Sequence, residues 1–166
     1  MEFIFLENIA IDELSREESV LIGLDVGDKT VGIAISDRRN KIASSVATIA
    51  RKGNDSDFRE LLKHLCSYKV GLIVCGWPVQ MNGMVSKQCE KVQDFIEKLS
   101  TYTEASFAKW DERFSTSVVD KIMIAADLSR KKRKQLIDKT AAAYILQGAL
   151  DFLNRRTVEL TKNNHC

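Results

Sequence analysis

The run Val20-Leu21-Ile22-Gly23-Leu24-Asp25-Val26-Gly27-Asp28-Lys29-Thr30-Val31-Gly32-Ile33-Ala34-Ile35-Ser36 sets the architecture of this chain. Val20 to Val26 is short and mostly apolar, the pattern of a central strand buried on both faces. Thr30 to Ser36 then alternates Val31, Ile33 and Ile35 with Gly32, Ala34 and Ser36, the period of two expected of a neighbouring strand. The intervening Gly27-Asp28-Lys29 is turn-like, so the two strands form an antiparallel hairpin. One residue breaks the apolar pattern. An ionised carboxylate at Asp25 without compensation would cost several kcal/mol, so it needs a metal, a partner or a catalytic task. The plainer reading is a carboxylate serving the Gly27 turn.

Working outward, Ala43 to Ile49 reads as a third strand that completes an antiparallel meander. The period then changes. Asp55 to Tyr68 carries Phe58, Leu61, Leu62 and Leu65 at helical spacing, and Val70 to Gly76 is another near-continuous apolar strand. A second amphipathic helix spans about Val85 to Ser100, with Cys89, Val92, Phe95, Ile96 and Leu99 on one stripe. A fifth strand, about Ala105 to Trp110, delivers Asp111 at its carboxyl end, where open α/β sheets place their sites. Two helices follow, about Ser117 to Ala126 and Lys132 to Asn154. The order predicts an α/β fold with a mixed five-stranded sheet flanked by helices, the layout of ribonuclease H-like domains. Residues 1–19 mix apolar and acidic residues without a strong period and read as an N-terminal extension. Residues 20–154 form the domain, and 155–166 a polar C-terminal tail.

The chain has 166 residues, enough for one domain with a full core. Hydrophobic residues at 45%, charged residues at 29% and a single proline exclude a disordered or linker-rich chain. Cys66, Cys75, Cys89 and Cys166 lack CxxC spacing, and the only histidines are His64 and His165, so a structural zinc site has little support. No basic leader precedes an apolar core, and no apolar run approaches the roughly 20 residues that span a bilayer. The expected compartment is the cytoplasm.

Acids at three places in the chain carry the candidate chemistry: Asp25, the Asp111-Glu112 pair and Asp138. Adjacent side chains on an extended strand point to opposite faces, so only one of Asp111 and Glu112 meets Asp25. Asp111 is the first choice, with Glu112 the ligand if the strand has already ended. Asp138 shares a helical face with Ala141, Ala142 and Ile145, small enough at two positions for the helix to approach the sheet closely. An acid at a helix amino end or a surface ion pair is the ordinary alternative for each. Together, Asp25, Asp111 and Asp138 could bind two Mg²⁺ or Mn²⁺ ions that activate a water for phosphodiester cleavage. The net charge is only +2, but Arg130-Lys131-Lys132-Arg133-Lys134 concentrates positive charge just before Asp138, where a phosphate backbone would lie. Lys29 and Arg113 are further candidate nucleic-acid contacts. Trp77, in the Gly76 to Gly83 loop, could stack on an unpaired base, although packing beneath the loop is its commoner role.

Asp25-Val26-Gly27, the Gly76 to Gly83 loop, Asp111-Glu112-Arg113-Phe114-Ser115-Thr116 and Asp138-Lys139-Thr140-Ala141-Ala142 occur in this order across about residues 20–153. In them the chain resembles the YqgF/RuvX family. Trp77 and Phe114 stand where leucine is frequent, and the acidic arm before residue 20 is extra. The resemblance implies a ribonuclease H-like fold, a cytoplasmic location, divalent-metal dependence and nuclease activity, with Asp25, Asp111 or Glu112, and Asp138 as the acidic positions. It further implies processing of the 5′ end of pre-16S rRNA, or resolution of Holliday junctions in branched DNA. Two other readings remain open: an actin-like ATPase, since Asp25-Val26-Gly27 with Thr30 also resembles a phosphate loop, and a nucleic-acid-binding module without catalysis. Whether the chain is a monomer or a homodimer is invisible in the sequence.

Overall fold

The structure, a computed structural model, describes residues 4–9, 19–53, 55–79, 86–111 and 130–163, with 130–140 and 161–163 described as backbone alone. Strands β1 (Ile4–Phe5), β2 (Val20–Val26), β3 (Thr30–Ser36), β4 (Ala43–Ala50), β5 (Val70–Trp77) and β6 (Ser106–Asp111) form one mixed sheet. Helices α1 (Asp55–Leu65), α2 (Lys87–Leu99) and α3 (Arg130–Asn163) pack on it. The spatial order is β1-β6-β5-β2-β3-β4. The β2–β3–β4 meander is antiparallel, and β2, β5, β6 and β1 run parallel. The fold is ribonuclease H-like.

Alternation along the strands splits the core into two layers. Ile22, Leu24, Ile73, Cys75 and Phe107 face α1 and α2, where they meet Phe58, Leu61, Phe95 and Leu99. Leu21, Leu72, Val74, Ala108 and Trp110 face α3, where they meet Ala142, Leu146, Ala149 and Leu150. Ser86 caps α2 by accepting from the Cys89 backbone N–H at 3.2 Å. The buried Asp57 carboxylate accepts from the Lys52 and Gly53 backbone N–H groups, at 3.0 and 3.2 Å, and so closes the turn from β4 into α1.

The sheet has six strands where five were expected. Ile4 and Phe5 pair with Ala108 and Lys109, and Leu6 and Ile9 beyond them are buried against the α3 layer. A two-residue strand is too short to show a period, and only the β6 edge gives it a partner. The stretch after Asn154, read as a polar tail, continues α3 to Asn163. Arg156 of that extension donates to the backbone oxygens of Glu7 and Ile9, at 3.0 and 3.3 Å, and ties the two ends of the chain together. The expected helix at 117–126 lies outside the described residues.

Candidate functional site

The site begins at the carboxyl end of β2. Leu21 faces α3, and the two-residue repeat puts Gly23 and Asp25 on the same side. Glycines let the helix come down onto this strand pair. A Cβ on Gly23 would sit 2.6 Å from the Ala142 backbone oxygen and 2.7 Å from Leu146 Cβ. One on Gly32, the cross-strand partner of Asp25, would sit 3.3 Å from Ala142 Cβ and 3.5 Å from Asp25 Cβ. As β2 advances from Gly23 to Asp25 the facing helix residue falls from Leu146 to Ala142, so α3 runs antiparallel to β2. Position 138 therefore lies one turn, about 6 Å, beyond Ala142 toward the strand's carboxyl end. Asp138 sits inside this helix, as the helical spacing predicts. Its side chain lies outside the described residues.

Asp111 ends β6, opposite Trp77 of β5 in register, so it stands at the same sheet edge as Asp25 with β5 between them. Its face is different. Phe107 packs in the α1–α2 layer and Ala108 and Trp110 in the α3 layer. The same alternation, unbroken by any bulge, places Asp111 with Phe107 and Lys109, on the side of the sheet opposite Asp25. Glu112, the next residue, lies outside the described residues, as does Arg113.

The turn after Asp25 is held by groups that sequence reading did not single out. Gly27 N–H donates to Thr30 O at 2.9 Å and Arg51 N–H to Lys29 O at 2.8 Å. The Arg51 guanidinium donates to Gly27 O at 3.0 Å while lying 5.2 Å from the Phe95 ring centroid, and Gln88 donates to Val26 O at 2.8 Å. No local pattern announces Arg51 or Gln88, because their partners are 24 and 62 residues away. Lys91 pairs with Asp28 at 2.5 Å, and this ammonium, by its hydrogen bond and then its charge, holds the exposed Asp28 carboxyl below its usual range. Lys29 is exposed on the turn.

Trp77 takes the commoner of the two roles expected of it, packing in the core. It closes β5 rather than opening a loop, is only 5% exposed, and lies in the α1–α2 layer with the Lys109 ammonium 4.2 Å from its ring centroid. An indole this little exposed offers almost no surface to a base. Burial of Lys109 lowers its pKa. The rest of the Gly76 to Gly83 loop, from residue 80 on, lies outside the described residues. Arg130, Lys131, Lys132, Arg133 and Lys134 fall on α3, which begins two residues before the expected Lys132, and their side chains lie outside the described residues. Among the described residues no three histidine, cysteine or acidic side chains cluster as a metal site. Burial pushes the Cys75 thiol up, so it is an inert core group. No described helix is long and apolar enough to cross a membrane.

The family model described as "RuvX: Holliday junction resolvase" matches residues 19–152. A protein of Clostridium kluyveri named "Putative pre-16S rRNA nuclease" is 47% identical over 136 residues, covering 81% of this chain and 98% of its own. One of the same name from Clostridium acetobutylicum is 48% identical over 132 residues, covering 79% and 97%. Among solved structures, T. thermophilus RuvC in complex with a Holliday junction substrate is similar at 9% identity, with a TM-score of 0.47, over 84% of this chain and 96% of that one.

Proposed function

The chain belongs to the RuvX family, and from that premise we propose that it is a divalent-metal-dependent nuclease that cuts the precursor of 16S rRNA at its 5′ end in the cytoplasm. The observation that carries the site is the close approach of α3 to Asp25, which puts position 138 one turn away at the sheet edge where β6 also ends. The donor chemistry fits the metal. Asp25 is a half-buried carboxylate approached by a helix through small residues, and hard divalent cations take oxygen ligands while keeping waters and substrate phosphates. When bound, such ions activate a water and stabilise the leaving oxygen of an in-line displacement.

The protein's own contribution is placement. Asp25 and Asp138 are the acids of β2 and α3, and Glu112 rather than Asp111 is the third. The alternation along β6 supports this, since it turns Asp111 to the side of the sheet away from Asp25. Arg51 and Gln88 hold the turn that follows Asp25, and Lys29 on that turn and the 130–134 run meet phosphates. Residues 20–154 carry this chemistry, with 1–19 and 155–166 flanking it. A second reading, cleavage of four-way DNA junctions, draws on the family's description as a resolvase.

The test is cleavage of a pre-16S rRNA 5′ fragment and of a four-way DNA junction in Mg²⁺, in Mn²⁺ and in EDTA. Cleavage should need the metal and favour the RNA. Asp25→Asn and Glu112→Gln should each lower kcat at least a hundredfold, with Asp111→Asn close to wild type. Equal losses in Asp111→Asn and wild-type rates in Glu112→Gln would return Asp111 to the ligand set. Cleavage that persists in EDTA or in Asp25→Asn would reject the site.

A further inference from the structure

We propose that the outer edge of the sheet, strand β4 with the cationic turns at its two ends, is a track for the phosphate backbone of the substrate, leading from the acidic edge to a distal anchor at Arg38 and Arg39. The inference rests on the nuclease reading above. β4 ends the sheet, and among the described residues nothing pairs with its outer side. Over Ala43–Ala50 it carries no charge of either sign, and Ser44, Ser45, Val46 and Thr48 are exposed. A hydroxyl-bearing edge free of carboxylates is a surface along which an anion can lie without repulsion.

Both ends of this edge carry exposed cations, and the one acid of the near turn, Asp28, is paired with Lys91. At the near end Thr48 is level with Gly32, and through it with Asp25, while Lys29 and Lys52 are exposed beside the turn. At the far end the β3–β4 turn presents Arg38 and Arg39, both exposed. That turn is built to hold its shape. Asp37 accepts from the Lys41 and Ile42 backbone N–H groups at 2.7 and 2.9 Å, which engages its carboxylate within the turn. Asn40 takes φ 52°, the left-handed region that asparagine tolerates, and donates to Ser19 O at 3.5 Å. Asn154 of α3 donates to Asn40 O at 3.0 Å, and the Lys41 ammonium donates back to the Asn154 side chain. Arginines on a pre-set turn lose less freedom on meeting a phosphate than arginines on a loose one.

The length suits a strand of nucleic acid. Seven steps of about 3.4 Å along β4 span about 24 Å, or about seven phosphates of one stacked strand. A second copy of this chain is the competing occupant, since open edge strands pair with one another. Antiparallel pairing about a two-fold axis would bring Arg38 and Arg39 of one copy against Lys29 and Lys52 of the other, a like-charge contact that disfavours it.

The deciding experiment compares wild type, Arg38→Ala/Arg39→Ala and Val46→Glu in two assays. In equilibrium binding of a 24-nucleotide RNA hairpin between 50 and 200 mM salt, the double variant should lower the slope of log K against log salt by about two, one per lost contact. Val46→Glu should weaken binding at least threefold. In cleavage, one RNA extends twelve nucleotides on each side of the scissile bond and another only three. The variants should lower cleavage of the long RNA at least fivefold and leave the short one unchanged. An unchanged salt slope, or equal loss on both RNAs, overturns the track. So does light scattering that finds a dimer split by Val46→Glu, because β4 then belongs to a second copy. Absence of cleavage by wild type would count against the nuclease reading, while the binding slope still decides the track.

Discussion

At the scale of single residues, what matters is which side of the sheet a side chain takes. Asp25 and Asp111 are both acids at carboxyl ends of parallel strands, yet strand parity separates them by the thickness of the sheet. Their local sequences are equally suggestive, and the difference emerges only from tracing Phe107, Ala108 and Trp110 into their respective layers. Trp77 teaches the same lesson, because the lysine that covers it comes from a strand thirty-odd positions later. Asp37 offers a residue-scale test of the β3–β4 turn. The Ile42 and Lys41 backbone N–H groups hold its carboxyl below the ordinary value of 3.8. A group with a depressed folded-state pKa stabilises the fold above its unfolded value and loses that contribution as pH falls through the folded one. Asp37→Ala should therefore be less stable than wild type by a constant amount at neutral pH, and the gap should close in the acid range, as read from urea melts at a series of pH values.

At the scale of elements, the contact between α3 and the β2–β3 pair is the join on which the site depends. Helix and strands approach closely because Gly23 and Gly32 present no side chain where Ala142 and Leu146 pack. Gly23→Ala forces a methyl group to 2.6 Å from a backbone oxygen, so strand or helix must move. We expect a loss of about 1 to 3 kcal/mol, in line with overpacked cores, seen as a lower Tm. Gly32→Ala meets side-chain carbons at 3.3 and 3.5 Å, with the Ala142 backbone nitrogen no nearer than 3.9 Å, and should cost less stability. It should cost more activity, because one of those carbons is Asp25 Cβ and the displacement falls on the carboxylate. A Gly23→Ala variant as stable as wild type would show that α3 does not seat here as described.

At the scale of the whole molecule, the two ends of the chain close one layer of the core. Leu6 is 1% exposed among α3 side chains, and Arg156 near the end of that helix holds the backbone just after it, at Glu7 and Ile9. Leu6→Ala should cost about 2 to 4 kcal/mol, as for other fully buried leucines, and chemical denaturation will read it directly. A loss below about 1 kcal/mol would mean that the opening segment is an ornament on the domain.

The sequence by itself determined the meander, the following strand–helix alternation and the identity of the acids, because strand and helix periods and strand-end carboxylates are written within windows of ten residues or so. Asp25 at a strand end, Phe95 on a buried helical stripe and the hairpin at residues 27–29 all needed only their neighbours. The tertiary structure alone decided that Ile4 and Phe5 form a sixth strand, that Trp77 is covered, that Arg51 and Gln88 brace the turn after Asp25, and that Asp111 faces away from it. Each of these depends on packing between segments distant in the chain, where burial and register override local preference, and no local pattern encodes which distant surface a residue will meet.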